Sequence, residues 1–185
     1  MANLSPAPIL GGYDKSLPDV RLIERSGLAL VSLAIPLGGE AAATQAIRAA
    51  FGLDLPAPGM SAAGKAHRLI RTGPDQALLM FDNNTANAQP AVRAALNGAC
   101  YTTMQTDAWV VLAVSGPGTR RALERICPLD LHDSAFAVDA AGRTVMEHMS
   151  ALILREGDDS FLLLSASSSA RSFLHAVETS ITHTS

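Results

Sequence analysis

The chain has 185 residues, with 14 basic and 17 acidic side chains and a formal net charge of −3, a length natural for one domain or for an internally duplicated one. The charges are interspersed, so there is no basic stripe to neutralise phosphates, which excludes nucleic acid and anionic membrane surfaces as partners. Hydrophobic residues make up 48% and charged ones 17% of the chain, against a charged share of about 25% in ordinary domains, which predicts more covered apolar surface than usual.

Only Lys15 and Lys65 among the basic residues are lysines. Protein interfaces favour Arg for its planar fork and weaker hydration, although a genome rich in Ala and Arg codons accounts for the bias equally well. The apolar stretch from Leu28 is too short for a bilayer span and contains Pro36, and the first residues lack the basic start of a signal peptide. A cytoplasmic location is expected. Cys100 and Cys127 stand apart, without the paired spacing of a zinc site or a disulfide framework, and read as buried free thiols.

Residues 1–19 contain Pro6, Pro8, Pro18, Gly11 and Gly12 without periodicity and read as an extended arm. A strand over 27–35 leads through Pro36, Gly38 and Gly39 into a helix from about Glu40, with Ala43, Ala46, Ile47, Ala50 and Phe51 on one face and Gly52 as its stop. After a Pro/Gly-rich link, strands over 67–71 and 76–81 are joined by Thr72-Gly73-Pro74-Asp75, a hairpin turn. Ala88, Ala91, Val92, Ala95 and Leu96 then repeat at helical spacing up to Asn97-Gly98.

The second half replays this order. A strand over 109–114, a helix over 118–126, a strand over 143–155, a turn at Glu156-Gly157-Asp158, a strand over 160–164 and a last helix with Ala170, Phe173, Leu174, Val177 and Ile181 on one face follow in turn. Leu53-Asp54-Leu55 recurs as Leu129-Asp130-Leu131, and Arg71-x-Gly73-x-Asp75-x-x-Leu78-Leu79 recurs as Arg155-x-Gly157-x-Asp159-x-x-Leu162-Leu163. The pattern predicts an α+β fold made of a duplicated β-α-β-β-α unit: a single domain over 20–182 with repeats at about 20–98 and 99–182. Its sheet would be mainly antiparallel with helices on one face, leaving the other face in need of a cover.

The candidate sites are sparse. Ser115-Gly116-Pro117-Gly118 runs from a strand into a helix, where an anion can be held, but it matches no phosphate-loop pattern, and Ser and Pro serve equally as ordinary helix-start residues. His67, His132, His148, His175 and His183 show no ligand spacing. Asp130-x-His132 and Glu147-His148 are candidate acid/base pairs, although neighbours on a strand point to opposite faces. Ser165, Ser167, Ser168 and Ser169 lack a nucleophile elbow and suit helix capping. Trp109, Met146 and Met149 read as core or interface residues, and no dinucleotide fingerprint occurs. No catalytic, cofactor-binding or metal-ligating residue is assigned.

The run Ser115-Gly116-Pro117-Gly118 to Phe136, with Cys127-Pro128-Leu129-Asp130-Leu131-His132 at its centre, resembles the gamma subunit family of heterotetrameric sarcosine oxidase. Residues 157–178 look like that family's terminal hairpin and helix, and Ser5-Pro6 fits its usual start. The resemblance implies a fold similar to part of the aminomethyltransferase, folate-binding type. It also implies a non-catalytic structural place beside alpha, beta and delta subunits, above all the large flavin- and NAD-binding one. FAD, FMN, NAD, zinc and tetrahydrofolate are then expected in those other subunits and none in this chain, and the complex would oxidatively demethylate sarcosine or another N-methyl amino acid. Two alternatives are a folate-binding one-carbon-transfer protein, of whose cysteine motif residues 98–105 keep only Cys100-Tyr101, and a stand-alone small-ligand regulatory domain.

Overall fold

A computed structural model describes residues 7–83, 85 and 87–184; Ser5 and Pro6 of the resemblance lie outside them. In chain order the first elements are β1 (Asp14–Leu17), β2 (Val20–Glu24), β3 (Leu28–Ala34), α1 (Glu40–Phe51), β4 (Ser61–Ala63), β5 (His67–Arg71), β6 (Gln76–Asp82), α2 (Gln89–Leu96) and β7 (Tyr101–Met104). They are followed by β8 (Trp109–Ser115), α3 (Thr119–Leu123), β9 (Ala141–Met146), β10 (Met149–Gly157), β11 (Ser160–Ala166) and α4 (Ala170–Thr182). Every pairing between these strands is antiparallel, so the α+β expectation holds.

The expected single domain divides instead into two compact units, one of residues 27–106 and one of residues 7–26 with 107–184. The first holds a five-stranded sheet in the order β4-β5-β6-β3-β7 and the second a six-stranded sheet in the order β1-β2-β8-β11-β10-β9. Periodicity reports which residues are apolar, not which strands share hydrogen bonds, so one sheet and two looked alike in the sequence. The boundary expected at Gly98 also moves, because β7 pairs with β3 from Val31↔Met104 to Ala34↔Tyr101 and so belongs to the first unit.

Helical periodicity places the core of the first unit. Ala43 and Ile47 of α1 and Val92 and Leu96 of α2 pack with Val31, Leu33, Leu69 and Leu79 of the sheet, and each fully buried Leu or Ile contributes about 1.5–3 kcal/mol relative to exposure. Gly52 ends α1 at φ +66° and Asn97 ends α2 at φ +45°, the left-handed conformation in which Gly and Asn close helices. In the second unit α4 buries Ala170, Phe173, Val177 and Ile181, the face its spacing predicts, apart from Leu174, which is only half buried.

Two further expectations are corrected. The strand expected over 143–155 is two strands, because Glu147 and His148 take φ +45° and +67° and turn β9 back into β10 with Met149 opposite Met146. The arm expected over 1–19 is, from residue 7 onward, part of the second unit: Asp14 to Leu17 pair with Ile23 to Val20. Consecutive residues of β6 (Ala77, Leu78, Leu79, Met80) and of β11 (Phe161, Leu162, Leu163, Leu164) are all buried, although they alternate between faces.

Candidate functional site

The most specific sequence run folds around one buried cation. Arg155, at the end of β10, donates from Nε to the Gly157 carbonyl (3.0 Å), from Nη1 to Phe136 O (2.8 Å) and from Nη2 to Asp158 O (2.9 Å). Its Nη2 also meets the Asp133 carboxylate at 2.7 Å. A guanidinium presents five donors in a fixed fork, and four bonds here hold the 128–136 loop against the β10–β11 turn. Asp133 also accepts from Arg120 of α3 at 2.9 Å. The Arg155 guanidinium, opposed by partial burial and helped by Arg120, holds the Asp133 carboxyl below its usual range.

Asp130 and His132 shape this loop. Asp130 accepts the backbone N–H of His132 at 2.9 Å, not a ring proton. The imidazole Nδ1 lies 2.8 Å from Ser134 Oγ and accepts the Ser134 N–H at 3.3 Å. A nucleophile needs its base oriented by a third group and a preorganised oxyanion site; the ring here is exposed and turned into its own loop. Glu147 and His148 occupy a hairpin turn, so they are not a strand pair of any kind.

Nor does the Gly-Pro helix start offer an anion cradle. The Gly116 N–H donates to Asp159 O (3.0 Å), Gly118 N–H to Asp19 O (3.1 Å) and Thr119 N–H to Gly116 O (3.0 Å). Gly116 is required at its position: φ is +120°, and a Cβ there would lie 2.4 Å from the Asp19 carbonyl oxygen.

The first unit repeats the arginine arrangement. Arg71 donates from Nη1 to Pro56 O (3.0 Å) and from Nη2 to Pro74 O (2.6 Å), and its Nη2 meets Glu40 at 2.8 Å. Around it Gly59 N–H reaches Arg71 O (2.9 Å), Arg71 N–H reaches Met60 O (2.9 Å) and Met60 N–H reaches Ala57 O (3.0 Å). The same three bonds recur as Asp139 N–H to Arg155 O, Arg155 N–H to Ala140 O and Ala140 N–H to Ala137 O, with Gly59 and Asp139 both at positive φ.

His67 and the two cysteines are also built into the fold. His67 lies between Phe51 and Phe81, 5.0 Å from each ring, and burial lowers its pKa. Burial pushes the Cys100 thiol up, and likewise that of Cys127 against opposing hydrogen bonds from Leu129 and Thr144. His175 and His183 are exposed beside α4, at a hollow of about 400 Å³ that Arg125, Glu147 and Met149 also line. Among the described residues no group of three or more His, Cys, Asp or Glu side chains is placed to hold a metal ion, and no helix is long and apolar enough to cross a membrane.

Sequence reasoning missed one constellation in the second unit. The buried Glu24 carboxylate accepts the backbone N–H groups of Leu10 (2.9 Å), Gly12 (2.8 Å) and Tyr13 (3.4 Å). The Tyr13 hydroxyl and Lys15 both bond Glu178 of α4; burial and then this carboxylate raise the Tyr13 pKa. Burial opposes ionisation of Glu178, but Tyr13, Lys15 and His175 outweigh it and lower its pKa. The acceptors and donors are far apart in the chain, so no local spacing announces them.

The chain is an α+β protein with a fold like that of aminomethyltransferase, and its strongest polar clusters are spent on holding its own loops. A structure of aminomethyltransferase T of the glycine cleavage system from Bartonella henselae matches 86% of the chain and 45% of its own, with TM-score 0.59 and 18% identity, a likeness of fold alone. The family model described as sarcosine oxidase, gamma subunit family, matches residues 38–181, and the chain belongs to that family. The gamma subunit of sarcosine oxidase from Arthrobacter sp is 34% identical over 64% of this chain, which spans 60% of that relative's length. A chain of the heterotetrameric sarcosine oxidase from Corynebacterium sp. U-96, solved with pyrrole 2-carboxylate, is 27% identical with TM-score 0.76, covering 89% of this chain and 84% of its own.

Proposed function

We propose that the chain is a structural, non-catalytic gamma-type subunit of a heterotetrameric sarcosine-oxidase-like complex that oxidatively demethylates sarcosine or another N-methyl amino acid. The observation that carries this reading is the use made of the family-specific run: Asp130, His132, Asp133 and Gly118 are all engaged by groups of the chain itself. Catalysis needs groups aimed at a place where a substrate can sit, and here they are aimed at the backbone. FAD, FMN, NAD, zinc and tetrahydrofolate are assigned to the alpha, beta and delta subunits, and the large flavin- and NAD-binding subunit is the main partner in this reading. Co-production with those subunits and capture through a tag on this chain tests it. The expected result is a coloured complex that turns over the amine, with the purified chain alone colourless and inactive. A stoichiometric flavin spectrum from the isolated chain would refute the assignment.

We also infer that the two units are copies of one ancestral unit. Strand orders β4-β5-β6-β3 and β9-β10-β11-β8 correspond element by element, and Arg71 and Arg155 sit in matching hydrogen-bond frames. An experimental structure in which the two guanidinium groups do not superpose when the units are overlaid would count against common descent.

A further inference from the structure

Leu37 is 107% exposed while the chain's other large apolar residues are mostly buried. It stands at the apex of the β3–α1 connection. Tyr101, 73% exposed, lies at the same end of the first unit's sheet, since its backbone pairs with Ala34 three positions before Leu37. Beside Leu37 is a hollow of about 320 Å³ walled by Ile35, Pro36, Gly38 and Pro74 and carrying the carboxylates of Glu40 and Asp75. Glu40 already meets Arg71 at 2.8 Å, whereas the Asp75 carboxylate has no partner among the described residues.

The corresponding loop of the second unit shows what such a place can hold. Both loops begin alike, with Ile35 N–H donating to Asp75 O (2.8 Å) and Gly116 N–H to Asp159 O (3.0 Å). Both then make the same turn, Gly39 N–H to Pro36 O and Thr119 N–H to Gly116 O. They differ in their cover. In the second unit the extended backbone at Asp19 and Val20 lies so close over Gly116 and Gly118 that a Cβ on either would meet Asp19 at 2.4 and 2.9 Å. In the first unit a Cβ on Gly38 would meet nothing within 4 Å, and one on Gly39 would meet only Pro36 of the same loop, at 3.0 Å from its carbonyl oxygen. The reason is connectivity: β2 reaches its sheet from the β1 hairpin and brings its turn across the loop, whereas β7 comes directly from α2 and brings none.

We propose that an extended segment of a larger partner subunit docks on the β3–α1 loop in the place that Asp19 and Val20 take in the second unit. Leu37 is its apolar anchor, and Asp75 meets a basic side chain on that segment. The assignment rests on the reading of the chain as a subunit of a larger complex. Apolar anchors set in a polar rim dominate binding at such surfaces, and a rim carboxylate contributes attraction that salt weakens.

The test uses tagged full-length chain co-produced with the large flavin- and NAD-binding subunit, comparing wild type with Leu37→Asp, Leu37→Ser, Asp75→Lys and, as a control of another exposed apolar residue, Val145→Asp. Leu37→Asp and Leu37→Ser are expected to capture about tenfold less of the large subunit or weaker still, with unfolding midpoints of the chain unchanged because Leu37 contacts no core. Asp75→Lys is expected to lower capture at low salt and to flatten its salt dependence, and Val145→Asp to change nothing. Capture by both Leu37 variants within twofold of wild type would overturn the proposal, as would an equal loss in Val145→Asp or a homodimer of the chain abolished by Leu37→Asp. Wild-type chain that captures no large subunit at all would overturn the subunit reading itself.

Discussion

Replacing Arg155 by Met removes four bonds at once: those to Gly157 O, Phe136 O, Asp158 O and Asp133. A lost hydrogen bond that strands a buried partner costs about 1–3 kcal/mol. Asp133 is exposed enough to be rehydrated, so its loss adds little, and the apolar stem of Met refills part of the space. The net expectation is a loss of about 3–5 kcal/mol, a large share of the 5–15 kcal/mol that domains possess. Arg155→Lys keeps the charge but not the fork and should lose about 2–3 kcal/mol. Trp109 is the only tryptophan and belongs to the second unit, so urea unfolding followed by its fluorescence reports that unit, while circular dichroism reports both. Arg155→Met should shift the fluorescence transition, and Arg71→Met should shift the dichroism transition first. A variant at Arg155 with wild-type stability, or one that assembles and folds normally while turnover by the complex vanishes, would refute the structural role.

Gly116→Ala should destabilise the second unit by about 3 kcal/mol or more, because the new Cβ meets a backbone atom that no rotamer change can move away. Gly38→Ala, at φ +74° with open space around it, should cost only about 1–2 kcal/mol; equal midpoints of thermal unfolding for the two would contradict the close approach of Asp19. The lowered pKa of His67 makes stability fall as pH drops below about 6.5, where the unfolded ring gains a proton before the folded one does; His67→Gln should flatten that slope in unfolding midpoints taken from pH 7.5 to 5. Cys100 and Cys127, buried and pushed up in pKa, should react with a maleimide at neutral pH only after denaturant is added, and rapid labelling of the native chain would count against their burial.

Legibility in the sequence followed locality. The apolar face of α1, the stop at Gly52 and the β5–β6 hairpin all rest on signals within a few residues and stand where expected, whereas Ala91 and Ala95 of the face expected for α2 are exposed and the helix expected over 118–126 is only Thr119–Leu123. Arg71 and Arg155 were visible as a repeated pattern before their role was, because a buried Arg and a surface Arg look the same until the carbonyls around them are placed. The β9–β10 turn was missed because Glu147-His148 carries none of the Asn-Gly chemistry that left-handed turns favour. The first residues were read as an arm for a similar reason. Pro and Gly do forbid a helix there, but what orders them is Glu24, whose three acceptor contacts run to backbone N–H groups that any sequence would supply.

Comparison of the two units separates what builds the fold from what would serve the proposed complex. A feature present in both units, such as the guanidinium bound to turn carbonyls at Arg71 and Arg155, is explained by the need of each unit to close its own loop. Even there the acid differs, Glu40 from the first turn of α1 in one case and Asp133 from a loop in the other, which shows that the carbonyl bonds are the common requirement and the ion pair a local addition. A role in the proposed assembly belongs instead to positions where the two units differ. Two divergences stand out: the β1–β2 hairpin with its Tyr13–Glu178 and Lys15–Glu178 bonds, found only in the second unit, and the uncovered loop at Leu37, found only in the first. The first divergence is satisfied within the chain, because its carboxylates and hydroxyl already have partners. The second leaves an apolar side chain in water and a carboxylate without a partner among the described residues, so of the two it is the one whose energetics would change in the proposed complex.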